Sequence, residues 1–218
     1  MTTEQSNGIG NDGGSAEAFW EPRYRESGSL WSGTANEVMR TIVETLPPGR
    51  SLDLGCSNGG DAIWLAQHGW EAMGVDVAPT AIALARSSAR KAGVTAGVRF
   101  EQYDLSAAMP DGPFDLVSAA FFHTPVPMDR PAVLRRAAER LSPDGHLLII
   151  DHGSFAPWSC NQDPDHVFPA PEEIFASLDL DRGGWTPELL TKRDREAEGP
   201  NGEHAVVRDT IVLVRRLK

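Results

Sequence analysis

The stretch that decides the fold is Leu52-Asp53-Leu54-Gly55-Cys56-Ser57-Asn58-Gly59-Gly60-Asp61. It passes from a short apolar run through small residues into a helical pattern, which is typical of a strand, a tight loop and a helix in a βα unit. A ligand can lie against the backbone amides of such a loop because its side chains are small. Open α/β sheets bind their ligands beyond the carboxyl ends of the strands, so this loop is the predicted ligand site.

Short apolar runs alternate with helical patterns along the rest of the chain. Strands are predicted at 51–55, 71–77, 98–103, 114–121 and 146–151, and helices at 35–46, 61–68, 80–92, 129–141 and 172–178. Right-handed crossovers between such strands give a parallel sheet with helices on both faces. Two last runs, 186–195 and 205–216, flank a Gly-Pro-Asn-Gly turn and predict a hairpin. The pattern therefore predicts an α/β fold with a doubly wound, mostly parallel sheet and a C-terminal antiparallel hairpin.

The composition is that of an ordinary folded domain. The 218 residues include 20 Lys and Arg against 31 Asp and Glu, and the net charge of −11 disfavours a nucleic-acid partner. We expect a flexible tail at 1–16, which has few large apolar residues, and a single domain at 17–218. No signal-peptide pattern and no run of ~20 apolar residues is present, so we expect a cytoplasmic protein without a membrane partner. The sequence leaves the oligomeric state open.

Acidic residues follow the second and third predicted strands. Asp76 follows the glycine loop at a spacing of about 20 residues, where a carboxylate can accept the hydrogens of both ribose hydroxyls. Asp104 is placed to accept the amino hydrogen of an adenine, so the two acids suit an adenosine. The alternatives are that Asp76 is a solvated strand-end acid or a helix cap, and that Asp104 begins a turn. The loop lacks both the G-x-G-x-x-G and the G-x-x-x-x-G-K-[ST] patterns, which disfavours NAD and nucleoside triphosphates.

Histidines and aromatic residues mark the predicted active edge. His123 and His152 each follow a strand end, so each is a candidate catalytic group, with an ordinary hydrogen-bonding role as the alternative. Trp20, Tyr24 and Trp31 either cover a bound cofactor or pack in the core. The Cys, Asp and His residues at 160–166 lack a recognised ligand spacing, so we expect no metal.

These motifs together resemble the class I S-adenosylmethionine-dependent methyltransferases, which have a seven-stranded Rossmann-like fold. Asp53, Gly55 and Gly59 match the family's D-x-G-x-G-x-G loop, although Ser57 stands where the middle glycine is usual. Acids at the ends of strands two and three and the run 115–119 fill the later motifs. The resemblance implies an S-adenosyl-L-methionine site formed by Trp20, Tyr24, Trp31, Asp53, Gly55, Cys56, Ser57, Gly59, Asp76, Val77, Asp104, Leu105, Ala119 and Ala120.

A narrower resemblance is to the small bacterial tellurite-resistance and thiopurine-type branch, whose members begin with W-[DE]-x-R-Y, as in Trp20-Glu21-Pro22-Arg23-Tyr24. It implies in-line methyl transfer to a small-molecule acceptor, with a soft, polarisable nucleophile favoured. An amine or phenol acceptor would instead need a base, for which His123 is the candidate. The alternatives are a binding protein that keeps the cofactor pocket without turnover, and a dinucleotide oxidoreductase, which the missing G-x-G-x-x-G disfavours.

Overall fold

A computed structural model describes residues 14–27, 33–181 and 183–218 of the protein. The described strands are β1 (Arg50–Leu54), β2 (Glu71–Asp76), β3 (Val98–Gln102), β4 (Phe114–Ala120), β5 (Leu141–His152), β6 (Trp185–Glu198) and β7 (His204–Arg216). The described helices are α1 (Ala16–Ser27), α2 (Glu37–Val43), α3 (Gly60–Gln67), α4 (Pro79–Lys91), α5 (Arg130–Ala138) and α6 (Pro171–Ser177). Of the predicted site residues, Trp31 lies outside the described part of the chain, as does most of the expected tail.

The strands form one seven-stranded sheet in the order β3-β2-β1-β4-β5-β7-β6. Strands β1 to β5 are parallel, while β7 pairs antiparallel with both β5 and β6. The predicted doubly wound sheet with a C-terminal antiparallel hairpin is confirmed. The strand order reverses between β1 and β4, which pair in the register Asp53↔Ser118. The carboxyl ends of β1 and β4 therefore meet at the switch point, where ligands bind in open α/β sheets.

Helices cover both faces of the sheet and form two separate apolar layers. The helices α2, α3 and α4 contribute to one layer, and α5 and α6 to the other. Alternation along β5 divides its side chains, with Leu148 and Ile150 in the first layer and Leu147 and Ile149 in the second. A strand that is apolar on both faces reads as a continuous apolar run, and this explains the sequence of β5.

The structure differs from the sequence-based boundaries at α1 and at β5. No helix was predicted around Pro22, which removes a backbone donor inside α1. The helix persists there because Tyr24 is buried against Ala78 and Ala81 of the α4 region. The helix predicted to reach 141 ends at Ala138, since β5 begins at Leu141 and reaches its regular register through an irregularity opposite β4. Among the described helices, none combines the length and apolar character needed to cross a membrane.

Candidate active site

The loop after β1 has a left-handed backbone at three positions. The φ angles are 68° at Gly55, 50° at Ser57 and 85° at Gly59. The Cys56 amide donates to the Val75 carbonyl of β2 at 2.9 Å, so the loop turns back onto the neighbouring strand. Glycine adopts this conformation without a steric penalty, whereas Ser57 bears a strain of about 1–2 kcal/mol. This requirement is the physical reason for a glycine-rich loop at this place.

The two glycines of the loop serve different purposes. A Cβ at Gly55 would lie 2.9 Å from Cδ2 of Phe122, which follows β4. A Cβ at Gly59 would lie 2.8 Å from Cζ of Phe100 and 3.0 Å from Cβ of Ala85. Gly55 therefore lies at the carboxyl edge of the sheet, where a ligand would bind. Gly59 instead allows close packing of the loop against α4 and β3.

The carboxylate of Asp76 holds the loop in place from the end of β2. One oxygen accepts a hydrogen bond from the Ser57 amide at 3.1 Å, and the other accepts one from the Ala78 amide at 2.9 Å. Burial raises the pKa of Asp76, and these backbone hydrogen bonds oppose the shift. Each carboxylate oxygen has a second lone pair, so the group can still accept hydrogen bonds from a ligand.

Three acids lie around the loop, of which Asp53 and Asp76 are buried and Asp61 is half-buried. Asp53 accepts a hydrogen bond from the Ser118 hydroxyl at 3.2 Å, and burial followed by the charge of Asp61 raises its pKa well above the ordinary value. Asp61 accepts a hydrogen bond from the Asn36 amide at 2.6 Å, and burial raises its pKa to about 6. Burial also raises the pKa of the Cys56 thiol, so this thiol stays neutral. A positively charged ligand would favour the ionised forms of these carboxyl groups, whereas a phosphate group would be repelled by them.

The predicted residues near β3 lie at the same edge but are less enclosed. Asp104 is exposed, and its carboxylate accepts a hydrogen bond from the Ser106 amide at 2.9 Å, so it does begin a turn. Leu105 is buried in the second apolar layer. The carbonyl of Val77 accepts a hydrogen bond from the Gln102 side chain at 3.1 Å. The turn role of Asp104 leaves its other carboxylate oxygen available for a ligand.

Helix α1 connects the start of α4 to the loop after β4. The indole of Trp20 donates to the Thr124 hydroxyl at 3.2 Å. The Glu21 carboxylate accepts hydrogen bonds from the Thr80 amide at 2.9 Å and from its hydroxyl at 2.6 Å. Ala119 is buried and Ala120 is half-buried at the end of β4. Aromatic residues of α1 therefore border the carboxyl edge of the sheet, and Tyr24 is also core.

The structure places His123 beside an ion pair of two residues that the sequence pattern does not single out. Its Nε2 lies 3.2 Å from Oδ1 of Asp151, and Nη2 of Arg130 lies 2.6 Å from the same oxygen. Arg130 also donates from Nε to the Phe122 carbonyl at 2.7 Å. The available signal was positional, since Asp151 is a buried acid at the end of β5 and Arg130 begins α5.

His152 lies beside His123 in a less polar setting. Its ring stacks on Phe121 with centroids 4.4 Å apart, and the two imidazole centroids are 6.1 Å apart. Burial lowers the pKa of His152, and the nearby His123 lowers it further. Phe121 has a φ of 51°, a left-handed conformation that bulky side chains rarely adopt, and this sharp turn directs the chain after β4. The described residues contain no group of three or more His, Cys, Asp or Glu that could hold a metal ion.

Known proteins resemble this chain in both sequence and fold. Residues 52–145 match the family described as "Methyltransferase domain". Thiocyanate methyltransferase 1 of Arabidopsis thaliana is 30% identical over 151 residues, which cover 65% of this chain and 66% of the relative. The 2-heptyl-1-hydroxyquinolin-4(1H)-one methyltransferase of Mycobacteroides abscessus is 31% identical over 141 residues, with 62% of this chain and 60% of the relative covered.

The chain shares its fold with a solved structure whose description reads "Conversion of a Disulfide Bond into a Thioacetal Group during Echinomycin Biosynthesis". That structure superposes with a TM-score of 0.73 at 24% identity and covers 92% of this chain and 93% of its own. The chain spans between about half and two thirds of the length of the curated relatives that it matches, at 49%, 60% and 66%. The family match shows a methyltransferase domain at residues 52–145, and in sequence and fold the chain resembles the class I S-adenosylmethionine-dependent methyltransferases.

Proposed function

We propose that this protein transfers the methyl group of S-adenosylmethionine to a small-molecule acceptor. The observation that carries the proposal is the left-handed loop at Gly55, bordered by the buried carboxyl groups of Asp53 and Asp76 and the half-buried one of Asp61. The cofactor has a sulfonium and an ammonium group against one carboxylate, so its net charge is positive. The acidic loop is complementary to that charge, and it would repel the diphosphate of a dinucleotide.

Each predicted cofactor residue has a role in this proposal. The carboxylate of Asp76 binds the ribose hydroxyls, and Asp104 with Val77 and Leu105 binds the adenine. The loop from Gly55 to Gly59 borders the methionine portion, whose positive charge would favour the ionised form of Asp53. Ala119 and Ala120 leave room at the end of β4, while Trp20, Tyr24 and Trp31 flank the bound cofactor. The whole segment 17–218 acts as one catalytic domain.

The cofactor, when bound, supplies an electrophilic methyl group on a sulfur that leaves with the electron pair of the broken bond. The protein's own contribution is to bind both reactants in line, which converts a bimolecular encounter into an oriented one and contributes ~7–11 kcal/mol. The edge between β4 and β5 presents His123, His152 and Phe121 for acceptor binding.

A small-molecule acceptor is supported by charge and by the relatives. The net charge of −11 disfavours nucleic acid as the acceptor. Thiocyanate and a hydroxyquinolinone are the compounds named for two relatives, and both are small. These two names come from different acceptor chemistries, an anion and a hydroxylated ring, and so they do not select between an anionic and a protic acceptor.

Calorimetric titration of the full chain tests the cofactor part of the proposal. S-adenosylmethionine should bind, and Asp76→Asn should weaken binding by about 10–100-fold, because a charge-assisted hydrogen bond contributes roughly 1.5–3 kcal/mol. Asp111→Asn is the matched control, since the side chain of Asp111 is 98% exposed and the residue precedes the amino end of β4, whereas the loop is at the carboxyl edge of the sheet. Absence of binding by the folded wild-type chain would refute the proposal.

A further inference from the structure

We propose that His123, oriented by Asp151, is the general base of this enzyme and that the acceptor is a hydroxyl compound that loses its proton during methyl transfer. This inference rests on the proposed function and deepens it by naming the acceptor class. It reverses the preference for an already anionic nucleophile that the tellurite-resistance and thiopurine-type resemblance implied. The basis is an arrangement of five side chains near the carboxyl ends of β4 and β5, which we call the dyad edge. Its members are His123 after β4, Asp151 and His152 at the end of β5, Arg130 at the start of α5 and Arg195 on β6.

The dyad edge lies where an acceptor must approach. Ala120 pairs with Ile150 in the β4–β5 register, so the chain after β4 and Asp151 of β5 emerge side by side. The Phe121 amide donates to the Ile150 carbonyl at 2.7 Å and extends this pairing by one residue. The side chain of His123 is 47% exposed, whereas that of Asp151 is only 7% exposed. The imidazole is therefore accessible to an acceptor, and the carboxylate behind it is not.

The contact with Asp151 selects the tautomer of His123. Oδ1 of Asp151 lies 3.2 Å from Nε2, an ion-pair distance, and a carboxylate at this place electrostatically favours the tautomer with its proton on Nε2. The neutral ring then has its lone pair on Nδ1, which is the state that a base needs. Asp151 does not touch the acceptor in this scheme, so it is a positioning residue.

Arg130 shares the carboxylate of Asp151 with the imidazole of His123. Its guanidinium lies 2.6 Å from the same Oδ1 and offsets the negative charge of the carboxylate. Arg130 is fixed in turn by its hydrogen bond to the Phe122 carbonyl at 2.7 Å. Because Asp151 faces both groups, its carboxylate can stabilise the positive charge that develops on the imidazole when the ring accepts a proton.

The charges around the dyad edge disfavour an anionic acceptor. Arg130 is paired with Asp151, and Arg195 is paired with the fully buried carboxylate of Asp209 at 2.7 Å. Burial and the neighbouring His123 keep His152 predominantly neutral by lowering its pKa. The groups that face His123 are thus one compensated ion pair and one uncharged ring. Transfer of an anion from water to the dyad edge is therefore unfavourable, because both of its arginines are already paired with carboxylates.

The proton and electron balance of the step is complete with these groups. The acceptor's hydroxyl proton moves to Nδ1 of His123, and the oxygen's electron pair forms the new O–C bond to the methyl group. The S–C electron pair stays on the sulfur. The imidazolium then releases its proton to water, which its half-exposed position allows. No oxidant, reductant or metal is needed.

The tautomer is tested without any acceptor by nitrogen NMR of the full chain containing ¹⁵N-labelled histidine, saturated with S-adenosylhomocysteine. Wild-type His123 should show a protonated Nε2 and a bare Nδ1 above neutral pH. Asp151→Asn should increase the other tautomer, because an amide can donate as well as accept. Glu188→Gln is the control, since it alters a second carboxylate contact, to His146, on a different part of the sheet. A wild-type ring protonated on Nδ1 would overturn the proposal.

The acceptor class is tested with phenol and 8-hydroxyquinoline against thiocyanate and iodide. We expect methylation of the hydroxyl compounds, and His123→Gln should lower turnover at saturating acceptor by about 10²–10⁴-fold with unchanged cofactor affinity. The acid limb of the wild-type pH–rate profile should disappear in this variant. Methylation of the anions alone, or of no hydroxyl compound while the cofactor still binds, would overturn this inference and leave the cofactor assignment standing. Loss of cofactor binding in the wild type would instead refute the proposed function.

Discussion

Replacement of Gly55 by alanine separates the conformational role of this glycine from its role at the active edge. The φ of 68° alone should cost about 1–2 kcal/mol for any residue with a Cβ. The new Cβ would also lie 2.9 Å from Cδ2 of Phe122, so the ring must move, at an additional cost of roughly 1–3 kcal/mol. We expect the free energy of unfolding to fall by about 2–5 kcal/mol in urea titrations, and the affinity for S-adenosylmethionine to fall at least about tenfold.

Gly93→Ala is the matched control for this experiment. Gly93 has a φ of 70°, and a Cβ there would meet nothing within 4 Å. It should therefore show only the conformational cost of about 1–2 kcal/mol and normal cofactor affinity. Adding Phe122→Leu to Gly55→Ala should recover part of the lost stability, with a coupling of roughly 0.5–3 kcal/mol. Equal stability and equal affinity for Gly55→Ala and Gly93→Ala would refute the argument that the loop glycine faces Phe122.

Three further predictions concern the loop, the first helix and the pH dependence of stability. Ser57→Gly should leave cofactor affinity intact and change the unfolding free energy by less than about 1 kcal/mol, because relief of left-handed strain offsets the entropy of glycine. A large loss of cofactor affinity would show that the Ser57 hydroxyl is essential. Glu21→Ala removes both hydrogen bonds to Thr80 and should speed hydrogen exchange of the α1 amides severalfold, while unchanged protection would show that apolar packing alone holds α1. Asp61 has a folded pKa raised to about 6, so the folded state binds the proton more tightly and stability falls as pH rises from about 4 to 6. Asp61→Asn should thus raise the unfolding free energy by about 1–3 kcal/mol at pH 8 and by progressively less below pH 6, and no gain at pH 8 would contradict the buried-acid argument.

Sequence patterns predicted the elements around the switch point closely because chemical signals mark their ends. A glycine follows β1, and Asp76, a strand-end acid, is the last residue of β2, so the predicted and observed boundaries agree within a residue. The signal was weaker where two elements meet without a separating loop, as between α5 and β5. There the helical spacing continued to Leu141, and only pairing with Phe114 of β4 assigns this residue to a strand. Helix α1 was missed because Pro22 and the aromatic residues disfavour an isolated helix, and tertiary packing overrides that preference.

The dyad edge shows why part of the candidate site was beyond sequence reasoning. His123 and His152 were selected because each follows a strand end, and that rule needs only the strand pattern. Oδ1 of Asp151 lies 3.2 Å from Nε2 of His123 and 2.6 Å from Nη2 of Arg130. These distances depend on the β4–β5 register and on the angle at which α5 leaves its loop. The local sequence determines neither this register nor this angle. Because the carboxylate is shared between a cation and an imidazole, its effect on His123 depends on both contacts at once. The identity of the base is therefore a property of the assembled edge, and a histidine at the same strand end without the Arg130–Asp151 pair would not be expected to act in the same way.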